Sequence, residues 1–411
     1  MDVLNGFANV ADFGAIADGV ADSTGAFQRA LDETGRKGGT VYAPPGKYLF
    51  KGCINVPDSV TLMGSFGNVS AHNGIRDAGA VPPLPKPGEK GTAFFATAGR
   101  GSEEGEAFIT LNTNSTLKGV VIYYPEQDPL ETPAPYPYCI AMRGKNPAVL
   151  DTELLNPYNG IDASENERHF IARVYGQPLR RGIYLDGIYD IGRIEDVHFN
   201  PWWSVSPAVV KLMVEEGEAF ILGRTDWEYM VNCFSIIYKT GFLFKDFGKG
   251  GPNVTLTQCG HDIAPYVAVV EETMPHAGIT FSNCQFMGEF LIKETNKGPV
   301  RINGCGFWGT SKGDWQNPGT LSNLAANGEG HVILNGCHFT NFNREHAAGF
   351  AALSINAGTA SVTNCDFLDE KPQIHIGEKA KGVVAIGCKF KGKENVTGNK
   401  GVAQTGFNIE T

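Results

Sequence analysis

VTLTQC at 254–259, ITFSNCQFMG at 279–288, VRINGCGFWG at 300–309, VILNGCHFTN at 332–341, ASVTNCDFLD at 360–369 and VVAIGCKFKG at 383–392 repeat one phrase. Each is a run rich in β-branched residues, a turn residue and then Cys, in most copies with an aromatic two positions further on. The six cysteines, from Cys259 to Cys388, are 25, 21, 32, 28 and 23 residues apart. A period of this length with strand composition predicts a solenoid, in which each repeat buries its apolar face only against its neighbours. Asn or Gly precedes five of the six cysteines, which suits a tight turn through a left-handed backbone residue. Cys then begins the next strand as a small inward hydrophobe, and stacking makes an inner ladder of thiols. The same register, with Val in place of Cys, is read in LKGVVIYYP around Val120 and IEDVHFNPWW around Val197.

A metal or iron–sulfur site would need ligands about two to four residues apart, and the chain contains no C-x-x-C pair. The cysteines are therefore read as structural, and no cofactor or metal is expected. At 411 residues, with 19 % charged, 42 % hydrophobic and 10 % aromatic residues and 52 Gly, the chain is neither a coiled coil nor disordered. A net charge of −10 argues against nucleic acid as a partner. No apolar run approaches the ~18–20 residues of a membrane span, so no membrane partner is expected either. The opening MDVLNGFANVADFG lacks the basic and apolar regions of a signal peptide. A secreted or periplasmic protein whose leader has been removed is expected, and unpaired cysteines keep a cytoplasmic location open.

VADFGAIADGVADSTGAFQRALDETGRKGGTVYAPPGKYLF, Val10 to Phe50, resembles the opening of the pectate-lyase superfamily. That resemblance implies an all-β, right-handed parallel β-helix and carbohydrate as the ligand class, without fixing one reaction. Ser23 or Thr24 is positioned to cap a short helix whose Phe27, Ala30 and Leu31 share one face and cover the end of the solenoid. Residues 1–50 are thus read as the cap and first strands. Residues 51–411 are the body of the same domain, with loop insertions at 65–102 and 125–147. The N-x-D, D-D, G-H-G and R-x-K set of polygalacturonases is not assembled here, and CGHD at 259–262 only echoes one piece. GIYLDGIYDIGRIEDVHFNPWWS at 182–204 and GRTDWEYMVNCFSIIY at 223–238 resemble bacterial proteins described as glycosyl-hydrolase-28-related.

The repeat register directs the search for a site. Strands ending in acids precede the ladder: IYLD at Asp186, AVVEE at Glu271 and Glu272, FLIKE at Glu294 and LFKD at Asp246. Asp186 and Glu294 lie 11 residues before their ladder positions and Glu272 lies 12; Asp190 and Asp226 each lie seven before theirs. Stacked strands are about 4.8 Å apart, so acids at equal offsets on neighbouring coils span the separations that glycosidases use. Around 186–228 aromatic residues gather: Trp202, Trp203, Trp227, Tyr229 and Tyr189, with Arg224, Asp226 and Glu228 beside them. Indole rings offer sugar platforms.

The leading expectation is a glycoside hydrolase acting on a polysaccharide or oligosaccharide. Its carboxylate pair is drawn from Asp226, Glu271, Asp186, Glu272, Glu228 and Asp190, with Asp226 and Glu271 first. Trp202, Trp203, Trp227, Arg224 and Tyr229 are the expected substrate contacts. A polysaccharide lyase or epimerase on a uronate glycan is the second reading, for which Arg180, Arg181 and Arg224 are available to neutralise the substrate acid. A non-catalytic, tailspike-like carbohydrate-binding protein is the third, compatible with a homo-oligomer such as a trimer.

Overall fold

Asn232, Asn283 and Asn364 all take φ near +55°, Gly304, Gly336 and Gly387 take +63°, +63° and +69°, and each is followed by a ladder cysteine. The turn read from the repeats is therefore the one that forms, and it includes Gln258 at +55°. The computed structural model of the protein describes residues 6–70 and 84–411, so residues 71–83 of the insertion expected at 65–102 lie outside the described residues. The chain resolves into two compact units, Met1–Met213 and Val214–Thr411.

In the second unit Val254–Thr257 pairs in parallel with Ile279–Ser282, which pairs with Val300–Asn303, which pairs with His331–Asn335 and so on through Val383–Ile386. Parallel strands joined by coil-long crossovers build a parallel β-helix, with the right hand that such crossovers adopt. The register places Cys233, Cys259, Cys284, Cys305, Cys337, Cys365 and Cys388 one above another, all buried and all free thiols. Several thiols donate to a carbonyl of the preceding coil: Cys284 Sγ to Leu256 O at 3.8 Å, Cys337 Sγ to Ile302 O at 3.5 Å. Beside them Phe286, Phe307, Phe339, Phe367 and Phe390 stack with ring centroids 5.0, 5.0, 5.1 and 4.9 Å apart. Each such pair contributes about 1 kcal/mol beyond the area it buries.

The first unit follows the same plan with other residues at the ladder position. Thr152, Val174 and Val197 are in register, and the residues before them, Asp151, Arg173 and Asp196, have φ of +49°, +53° and +52°. Here the left-handed corner is held by charge: Arg173 and Lys118 contact the buried Asp151 at 2.5 and 3.6 Å. The helix Thr24–Gly35, α1, buries Phe27, Ala30 and Leu31 as its pattern predicts. Its N-terminus is held differently from the expectation. The Ser23 hydroxyl makes no cap bond and instead donates to Ile16 O. Asp22 Oδ1 accepts from the Thr24 N–H at 3.0 Å and its hydroxyl at 2.6 Å.

An Asn in the left-handed region is tolerated because its short polar side chain can hydrogen-bond locally, and most other L-residues lose about 1–2 kcal/mol there. Asn283→Gly is therefore expected to leave stability within about 0.5 kcal/mol of wild type, while Asn283→Val lowers it by about 2 kcal/mol. Urea unfolding midpoints of the two variants check this.

Candidate active site

In the first unit, one outward row crosses five neighbouring strands: Asn55, Thr110, Ala141, Asp162 and Tyr184 are direct register partners. A cavity of about 520 Å³ lies over this row, lined by Asn55, Thr110, Tyr138, Arg143 and Asp162 among others. That volume is in the range of small-ligand sites. One wall comes from α1, whose Gln28 lines the cavity. Its amide is bonded both ways to the backbone of Asn55, at 3.1 and 2.9 Å. The capping helix therefore does more than close an end.

Arg143 is fixed at the floor. Its Nη1 donates to the carbonyls of Met142, Asp162 and Ser164, and its Nη2 to Asp162 Oδ2 at 2.5 Å. Tyr138 stacks on Tyr184 with centroids 6.3 Å apart. Along the next row Tyr138, Asn159 and Arg181 are aligned. Glu103 joins them, accepting from Asn159 Nδ2 at 3.2 Å and from Arg181. Among the lining residues two carboxylates, Glu106 and Asp162, face one guanidinium. Asp186 follows the strand Arg181–Leu185, two residues beyond Tyr184, and is 3 % exposed.

The other expected residues of the first unit lie elsewhere. Asp190 is a corner residue with φ of +62°. It accepts from Arg168 at 2.7 Å, in a polar corner ladder that continues through Asn146 to Asn114. Trp202 and Trp203 are 5 % and 1 % exposed, so neither offers an open face to a sugar. Trp202 is covered by Tyr175 and His198, and the Trp203 backbone N–H donates to Gln177 Oε1.

In the second unit Asp226 and Glu271 stand on different strand rows. Asp226 is on Thr225–Val231, paired with Arg224 at 2.6 Å. Glu271 follows Tyr266–Val270, one coil from Lys245 and one from Lys293, with contacts of 3.2 and 2.5 Å. Burial pushes the Glu271 carboxyl up, but the hydrogen bonds and charges of Lys293 and Lys245 outweigh it and hold the group below its usual range. It is held as a carboxylate, which does not suit a proton donor. Glu272 is half-buried beside it. Strand alternation turns Glu228 inward with Met230, at 1 % and 0 % exposure, and turns Trp227 and Tyr229 outward. Glu271→Gln leaves two lysines without their shared anion and is expected to cost about 1 kcal/mol. The loss should shrink in high salt, which unfolding at two ionic strengths tests.

Asp162 was missed by the sequence reading although its signal was present. NGID at 159–162 ends like IYLD at 183–186, and Asp162 lies 12 residues before Val174 as Asp186 lies 11 before Val197. Val174 has neither the turn glycine that precedes Val120 nor the aromatic that lies two positions after Val197, so its coil went uncounted.

Residues 7–97 match a family described as rhamnogalacturonase A/epimerase, pectate lyase-like. A mannuronan C5-epimerase of Azotobacter vinelandii, AlgE6, is 45 % identical over 65 residues, 14 % of this chain and 7 % of that protein. The chain thus covers a small part of that relative's length. Among solved structures, a mutant of DFA-IIIase from Arthrobacter chlorophenolicus A6 superposes with a TM-score of 0.56 at 11 % identity, over 97 % of this chain and 98 % of that one. The Dettilon tailspike protein gives 0.56 at 11 %, over 99 % and 69 %. Identities this low speak for architecture alone. With the N-terminal match and the coil geometry together, the chain is a right-handed parallel β-helix whose first coils, residues 7–97, are similar to the pectate-lyase-like family.

Proposed function

We propose that the protein is a carbohydrate-active enzyme, a glycoside hydrolase that seats its substrate in the groove of the first unit and uses Asp162 and Asp186 as its carboxylate pair. The observation that carries this reading is the cavity into which Asp162 projects, with an aromatic pair on one side and polar groups converging from α1 and four strands. Asp186 is one coil on and two residues along. A lateral step of about 4.8 Å and a two-residue rise of about 6.6 Å put the two Cα atoms about 8 Å apart. A Cα separation of that order is compatible with the carboxyl spacing at which one acid protonates the glycosidic oxygen and the other activates a water on the opposite side of the ring. The lining holds more carboxylate than guanidinium, which favours a neutral sugar over a polyuronate.

A panel of neutral and uronate-containing polysaccharides, with mass analysis and reducing-end assay of the products, tests this. New reducing ends from a neutral glycan are expected. The similarity to the epimerase segment favours a second reading, proton abstraction beside a uronate carboxylate, with Tyr138 as the transfer group and Arg143 facing the acid. An unsaturated product, or inversion at C5 without chain cleavage, would replace the hydrolase with that chemistry.

A further inference from the structure

The strand Thr225–Val231 carries an aromatic face that the groove does not use. Trp227, Tyr229 and Val231 occupy its alternate outward positions and are 56 %, 41 % and 38 % exposed. The intervening Glu228 and Met230 are buried. The backbone is locked to the next coil through Glu228 opposite Val254 and Val231 opposite Thr257. The rings are therefore presented on rigid sheet rather than on a loop, and three large apolar side chains in line are unusual for a solvated strand.

What surrounds the stripe decides its occupant. On the neighbouring strands the outward row from Tyr229 runs to Thr255 and Thr280, and that from Val231 runs to Thr257 and Ser282. All four are partly exposed hydroxyls. At the other end stands the Arg224–Asp226 ion pair. Towards the following coils the apolar surface ends after one strand, and three side chains over about 13 Å fall far short of the roughly 800 Å² per partner that a stable protein interface buries. A sugar ring matches it better: its C–H face stacks on an indole or phenol, and its hydroxyls meet the threonines and the ion pair.

We infer that this face is a second glycan-binding surface, on which Trp227 and Tyr229 hold a polysaccharide while the groove of the first unit carries the chemistry. The inference rests on the glycan reading of the groove but places binding on residues the groove does not contain. It is tested in the catalytically disabled Asp162→Asn background, so that the ligand is not consumed, by retardation in native gels cast with each polysaccharide of the panel. Trp227→Ala and Tyr229→Ala are each expected to weaken retardation about tenfold, the double variant to leave only the weaker retardation that the groove alone gives, and Trp227→Phe to restore most of it. Both positions are exposed, and thermal unfolding of each variant shows that the fold is intact; should Trp227→Ala not fold, Trp227→Phe with Tyr229→Ala carries the test. Retardation that is unchanged by the aromatic substitutions overturns the second surface and leaves the hydrolase reading standing. If wild type neither cleaves nor is retarded by any polysaccharide, the glycan reading itself falls, and this inference with it.

Discussion

Asp162→Asn is expected to lower turnover by at least about 10³-fold, because a positioned carboxyl that moves a proton supplies roughly 10²–10⁴ of an enzyme's rate. The substitution keeps shape and removes charge. Arg143 loses its ion pair but retains its three bonds to the carbonyls of Met142, Asp162 and Ser164, so the strand end stays anchored. Activity should therefore collapse while the thermal midpoint moves by only a few degrees. Asp186→Asn should show a loss of similar size, and the double variant little more than either alone, since two groups acting in one step are strongly non-additive. Asp190→Asn is the matched control: it removes an acid from a corner ladder away from the cavity and should leave kcat unchanged. Turnover of Asp162→Asn within twofold of wild type would sink the assignment and return attention to the acids of the second unit.

The fold was legible because its rule is local. A left-handed corner admits few residues, so Asn283, Gly304, Gly336 and Asn364 announce themselves, and a two-residue offset then places the phenylalanines inward. The first unit hides the same rule, since Asp151, Arg173 and Asp196 occupy its corners at the expense of strain that ion pairs offset. The site was harder to read for a related reason. Strand-end acids are visible, but whether one meets a groove or a lysine depends on what stands one coil above and below. Those residues are 20 to 30 positions away in a chain with variable loops. Glu271 met Lys245 and Lys293; Asp162 met Arg143 and open space. Aromatic residues misled in the same way. Trp202, Trp203 and Trp227 look alike in a sequence, and only the last is outside.

Two coils lack the inward phenylalanine, at Ser235 and His261, and the second has a consequence for acid stability. His261 stands in register with Phe286 and takes the place of a phenylalanine. It is 1 % exposed, with Nδ1 bonded to the Ser235 hydroxyl at 2.7 Å and Nε2 to Tyr238 O at 3.2 Å. Burial pushes its pKa down to about 4, against an ordinary 6.5. As pH falls from 6.5 towards 4 the unfolded chain takes up a proton that the folded one refuses, and stability drops by about 3 kcal/mol. Glu289 opposes this. Burial pushes its carboxyl up from 4.5 to about 7, so between those limits the folded state holds a proton that the unfolded state has lost. Stability from that group falls by about 3 kcal/mol as pH rises through the same window. The two slopes have opposite sign and nearly cancel between pH 4.5 and 6.5, leaving these groups silent in wild type. Glu289→Gln removes one of them. The variant is expected to lose about 2 kcal/mol more than wild type between pH 6.5 and pH 4.5, read as urea midpoints across that range. Parallel curves for the two proteins would show that Glu289 is not held protonated in the fold, and a variant whose midpoint does not fall over that range would show that His261 is not held neutral by its place in the column.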